Sequence, residues 1–224
     1  MRASSEERQL AEKWLPDIEQ VTVSTAGVLT IGVLYTILPD AVRIGPPWLL
    51  IAVELILIAP LILYHIILRR PLPSRLTRRP PLGLLLIVVL ALVGALIRFI
   101  VLLPHYSRGP TLLLDGSILW IITVLVFATG YWEIDGGGPR NRSMAADWRQ
   151  DFLFPQEQGR DPGEWEPGFI DYIFLAFCFS TAFSPADTVP LTHRAKLLVM
   201  AQAVMSLIII GTIIARAVNI LGSG

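Results

Sequence analysis

Apolar residues run along this chain in blocks long enough to cross a bilayer, separated by short breaks marked by proline. Four runs, roughly 21–38, 47–68, 82–103 and 110–132, each approach the ~20 residues that carry a helix across ~30 Å of hydrocarbon. They are interrupted at Pro39-Asp40, at Pro46-Pro47, from Pro71 to Pro81 and from Pro104 to Pro110, where proline cannot continue an intrahelical hydrogen-bond ladder. Residues 133–167 then break the pattern with Gly136-Gly137-Gly138-Pro139, eight acidic residues and four arginines, which makes this the one long polar loop. A short apolar segment at 169–183, a polar break at 184–192 and a long apolar run from about 193 to 221 complete the pattern. The 169–183 segment supplies about 15 residues, or roughly 22 Å of helix, which is short for a crossing and fits either a span or a re-entrant helix.

Ahead of the first run, Leu10, Ala11, Trp14, Leu15 and Ile18 recur at helical spacing, while Glu6, Glu7, Glu12, Lys13 and Glu19 fall largely off that stripe. This predicts a short amphipathic helix on the membrane surface, capped by Ser4 or Ser5. The expected fold is an all-α, polytopic transmembrane helix bundle of five to six membrane segments. It divides into an interfacial helix at 1–20, a four-helix region at 21–132, the polar loop at 133–167, and a short helix, turn and long helix at 168–221. The polar first twenty residues argue against a cleavable signal peptide, so the first span is expected to serve as an uncleaved insertion signal.

Composition agrees with a lipid solvent. Apolar residues make up 54% of the 224 and charged residues only 16%, and the mean hydropathy of +0.62 lies above the usual range of soluble domains. Lys+Arg and Asp+Glu both count 18, so no net positive charge is available to neutralise a phosphate backbone, and nucleic-acid binding is not expected. Cys178 is the only cysteine and sits in an apolar stretch, which rules out an intrachain disulfide. His65, His105 and His193 have no metal-ligand spacing, and no nucleophile-and-base motif is present. No metal, cofactor or enzymatic activity is expected.

Three ionisable residues fall inside apolar runs: Glu54, Arg98 and Asp115. Such residues are costly in lipid unless paired or facing an aqueous cavity. At 1.5 Å per residue all three fall roughly 7–10 Å below one membrane surface, within reach of each other. A structural ion-pair cluster locking spans two to four is the favoured reading, with an ion or proton site at the outer leaflet as the functional alternative. On the last helix, Gln202 and Ser206 lie one turn apart, and Thr212, Arg216 and Asn219 form a second polar stripe. These residues are pore-lining candidates, and interhelical hydrogen bonding is an equally good reading of them.

The stretch from Phe169 to Asn219 resembles the pore helix, selectivity filter and inner helix of two-helix-pore potassium channels, in which a Thr-x-Gly-Tyr-Gly-Asp run precedes a Pro and a Thr. Thr181, Asp187, Pro190 and Thr192 fall on the matching positions, and Phe183 stands where the filter has valine. Ser184 and Ala186 occupy the glycine positions and Pro185 replaces the tyrosine. A filter of stacked carbonyls needs the backbone freedom that glycine supplies, so the resemblance implies a pore scaffold with a degenerate filter. Residues 120–220, with Asp151-Phe152-Leu153-Phe154-Pro155, are also similar to a family of uncharacterised bacterial membrane proteins, which implies a multi-pass protein of the bacterial cytoplasmic membrane.

Two functions follow as expectations. One is a channel or transporter that lacks a potassium-selective filter, with the last helix lining a path in a homo-oligomer and the ion or solute unspecified. The other is a non-conducting scaffold whose 133–167 loop binds a partner. Arg69, Arg70, Arg75, Arg78 and Arg79 crowd the segment between spans two and three, against Arg43 and Arg108 in the flanking loops, and positive-inside places that segment and the N-terminus in the cytoplasm. In the channels the filter faces outward, which conflicts with a re-entrant helix entering from the cytoplasm. Full spanning of 169–183, with 184–192 as an external turn and both termini inside, is therefore favoured. A cysteine introduced between Arg75 and Arg79, in a Cys178-free background, is expected to be shielded from an impermeant thiol reagent in intact cells. Ready labelling there reverses the orientation.

Overall fold

The computed structural model describes residues 26–27, 29–40, 42–56, 59, 74–105, 109–137, 150–157, 165–181 and 188–222. The predicted surface helix at 1–20, the filter-like residues Phe183, Ser184, Pro185, Ala186 and Asp187, and much of the 133–167 loop lie outside these residues. Six α-helices are described: α1 within 26–37, α2 from 48 to 56, α3 Ser74–Leu102, α4 Gly109–Ile134, α5 Phe169–Thr181 and α6 His193–Gly222. Two short strands, β1 Phe152–Leu153 and β2 Val189–Pro190, pair antiparallel with Phe152 opposite Pro190. The all-α expectation holds, and three stretches, Leu85–His105, Gly109–Ile134 and His193–Asn219, are long and apolar enough to cross a membrane. Helix α3 starts at Ser74, ahead of the expected boundary near 82, and carries Pro80 and Pro81 before its apolar part begins.

Helix α4 is the axis of the bundle, packed against α3, α5 and α6. Its residues from Ile122 to Glu133 are buried almost all round, as expected of a helix that is apolar on every face and enclosed by others. The outer helices instead turn aliphatic side chains outward: Leu86, Leu90, Ile97 and Val101 on α3, and Leu197, Met200, Val204 and Leu207 on α6. An apolar surface of that extent suits hydrocarbon rather than water.

Side-chain contacts set the direction of each helix. Trp132, near the end of α4, meets the first turn of α5 edge-on, with ring centroids 5.8 Å from Phe169 and 5.5 Å from Tyr172. Trp120, near the middle of α4, meets Phe177 at 5.6 Å. Helix α5 therefore runs back along α4 and stops about half-way. Gln202 on α6 donates to the carbonyl of Ala176 at 2.6 Å, so α6 descends beside α5 in the same direction. Further along, a Cβ on Gly116 of α4 would lie 2.7 Å from Cγ1 of Ile213, which puts the far part of α6 beside the start of α4.

These contacts bear on whether 169–183 crosses fully. Helix α5 has 13 residues, about 20 Å, against about 39 Å for the 26 of α4. The chain after α5 also returns to the end of the bundle where α5 began, because β2 pairs with β1 and Leu191 donates its N–H to the carbonyl of Asp151 at 2.8 Å. Helix α5 begins, and β2 and Leu191 lie, at one end of the bundle. The start of α1 lies at that same end, where a Cβ on Gly27 would be 3.1 Å from Oγ1 of Thr129 and 3.4 Å from Phe169, and α6 finishes at the other. Single cysteines at Gln156, Leu191 and Asn219, in a Cys178→Ser background, are expected to label from one side for the first two and from the opposite side for the third. Labelling of Gln156 and Leu191 from opposite sides means a full crossing.

Candidate functional site

Helix α4 ends where Gly136 takes a left-handed φ of 60°, a conformation glycine adopts at little cost. This turn aims the Gly136 N–H at Oδ2 of Asp151, 3.1 Å away. Asp135, fully buried, accepts on Oδ1 the N–H groups of Asp151 at 2.7 Å and Phe152 at 3.2 Å, and on Oδ2 the hydroxyl of Tyr172. Asp151, equally buried, binds Arg194 through both carboxylate oxygens, with Nε donating to Oδ1 at 2.6 Å, and also accepts the Thr192 hydroxyl. Thr192 in turn caps α6, its Oγ1 taking the Ala195 N–H at 3.3 Å. At the start of α5, Gly168 and Asp171 form a reciprocal cap: the Gly168 N–H donates to Oδ2 of Asp171 at 2.7 Å, and the Asp171 N–H to the Gly168 carbonyl at 3.0 Å.

The peptide that carries Asp151 is itself clamped. Phe152 is wholly buried, 5.0 Å from Tyr131, and Phe154 lies between Tyr172 at 5.4 Å and Trp165 at 5.6 Å. Glu157 turns the chain at Pro155, accepting the Phe154 N–H at 3.0 Å and the Gln150 amide at 2.7 Å. The Asp151–Pro155 motif is thus the wedge that joins the end of α4 to the starts of α5 and α6.

One level deeper, Gln202 is completely buried and links three helices. Its Oε1 accepts the Tyr131 hydroxyl of α4, and its Nε2 donates to the Ala176 carbonyl and to Ser180 Oγ at 2.7 Å, both on α5. These bonds give Gln202 to interhelical packing rather than to a pore wall. Ser206, one turn on, is buried with its hydroxyl unbonded. Thr212 and Arg216 are partly exposed and Asn219 is exposed, with Arg216 donating to the Pro104 carbonyl at 3.5 Å. Thr181 closes α5, its hydroxyl donating to the carbonyls of Phe177 and Cys178, both at 3.1 Å.

The three ionisable residues grouped by depth lie on α2, α3 and α4. Arg98 donates to the backbone carbonyl of Arg43 at 2.8 Å, while Glu54 is fully buried with neither carboxylate oxygen hydrogen-bonded. Asp115 is buried one residue from the Gly116–Ile213 contact, and Arg216 lies three residues beyond Ile213, so acid and base occupy the same stretch of α4–α6 packing. Sequence reasoning placed Arg216 on a pore stripe and missed Asp135, Tyr131, Tyr172 and Ser180. Asp135 was hidden in a glycine-rich loop, and the two tyrosines read as ordinary apolar-run aromatics.

Among the described residues no group of three or more potential metal ligands comes together. The chain matches no family model, no curated protein and no solved structure. The arrangement is a short helix held at its base by two buried carboxylates and ending among apolar helices. Asp151→Ala is expected to lower stability by about 3 kcal/mol, since it leaves Arg194, Thr192 and Gly136 without their acceptor. Thermal unfolding in detergent reads this loss, and Arg194→Ala added to Asp151→Ala is expected to cost little more. Simple additivity of the two removes the ion pair from the account.

Proposed function

We propose that this is an integral membrane protein in which α5 and α6 form a pore-like unit, serving a channel or transporter that does not select potassium. What supports the reading is that the 13-residue α5 begins, and the chain by β2 lies, at one end of the bundle. A half-helix that stops near mid-depth brings the negative end of its dipole, at Thr181, into the apolar layer, an arrangement that attracts cations. The layout of outer helix α4, short helix α5, return segment and long helix α6 is also that of the potassium-channel pore which the sequence resembles.

The arginines between residues 69 and 79 support, by positive-inside, an orientation with the N-terminus and the 133–167 loop in the cytoplasm of a bacterial cell. On that orientation α5 enters from the cytoplasm, opposite to the channels, and the C-terminus is outside. Ser184, Pro185 and Ala186 stand where a potassium filter needs its most permissive backbone, which argues against potassium selectivity. Because Gln202 is sealed inside the protomer, the path runs between associated copies along α6.

A second reading has its own support. The outward faces of α5 and α6 are apolar, with Ile170, Phe174, Leu197, Met200 and Leu207 exposed, and this suits a non-conducting scaffold in lipid that binds a partner through the 133–167 loop. Ion flux from liposomes loaded with potassium or sodium separates the two. The pore reading expects flux of both ions at comparable rates; strong potassium preference overturns the account of residues 181–187, and absence of flux favours the scaffold.

A further inference from the structure

Glu54 is the one described carboxylate side chain that is fully buried with both oxygens unbonded. It sits on α2 and presses against α1 at Gly32, where an added Cβ would lie 2.9 Å from its Cδ and 3.0 Å from Oε1. Gly32 is thus the seat of the carboxyl group: any larger residue there collides with it. The charged and titratable groups nearby are committed elsewhere. Tyr35, three residues from Gly32 on α1, accepts the Ile44 N–H at 2.9 Å. Arg43 donates to the carbonyls of Thr36 and Leu38, both at 2.9 Å, and pairs with Asp40, and Arg98 of α3 donates to the Arg43 carbonyl. None of these groups bonds to Glu54.

An ionised carboxylate enclosed without a donor or counter-charge is far more costly than a neutral one, whose only loss is one unmade hydrogen bond. A hard metal cation does not resolve the cost, because it needs six or more oxygen ligands and the described residues gather no such set. We propose that Glu54 is a proton-binding site built into the α1–α2 contact. Its carboxyl group carries a proton while the two helices are packed on Gly32, and gives it up only when the contact opens. Proton release and separation of α1 from α2 are one coupled step, independent of whether the α5–α6 unit conducts.

The test uses the full chain in lipid vesicles and infrared spectroscopy at neutral pH, with glutamate labelled with carbon-13. The wild type is expected to show the C=O band of a protonated glutamate, and Glu54→Gln to lose it. Should Glu54→Gln fail to fold, Glu54→Asp serves instead, since it keeps an acid at the seat but removes the labelled band. Gly32→Ala, which crowds the carboxyl group, is expected to shift the band or abolish it. A spectrum that is the same in the wild type and in the Glu54 variants overturns the proposal, as does a wild type with no protonated-glutamate band.

Discussion

Two buried carboxylates at one end of α4, Asp135 and Asp151, hold together parts of the chain that are far apart in sequence. Asp135 accepts from the backbone of residues 151 and 152 and from Tyr172 on α5, while Asp151 accepts from Gly136, Thr192 and Arg194. Between them they join the end of α4, β1, α5 and the start of α6. An unpaired carboxylate in such a place is destabilising, so each bond made by one segment favours the correct position of the others. The position of α5 and β2 at one end of the bundle follows from this constraint. With both the beginning of α5 and the beginning of α6 tied to the same end of α4, a 13-residue helix has no route across the bundle.

Much of the bundle was legible in the sequence because hydrocarbon demands an unmistakable pattern. Long apolar runs mark α3, α4 and α6, and the apolar run from about 193 set the start of α6 correctly. Length also flagged α5 as too short to cross with ease. The decision between spanning and re-entrant was not legible, since it depends on partners 16 to 43 residues away: Asp135 with Asp151, and Asp151 with Arg194. Nothing in local hydropathy reports such a pairing. Depth likewise fixes height in the membrane but not which helix faces which, so it leaves the partners of Glu54, Arg98 and Asp115 open.

The polar residues inside the apolar layer divide into two kinds. Gln202 with Tyr131 and Ser180 is bonded on both sides of its amide, the arrangement that fixes helix orientation where the hydrophobic effect cannot. Glu54 is the opposite, a carboxyl group enclosed beside Gly32 with nothing to bind. The first kind ties α4, α5 and α6 to one another. The second marks the α1–α2 contact as the place where a change of protonation has structural consequences.

Spin-label depth profiling in lipid vesicles measures directly the path of the chain from Phe169 to Leu191. Labels placed singly along 169–191 are expected to show immersion that deepens to about Thr181 and then becomes shallow again, reaching by Leu191 the surface from which it started. Immersion that passes through a midpoint and emerges at the opposite surface would contradict the account.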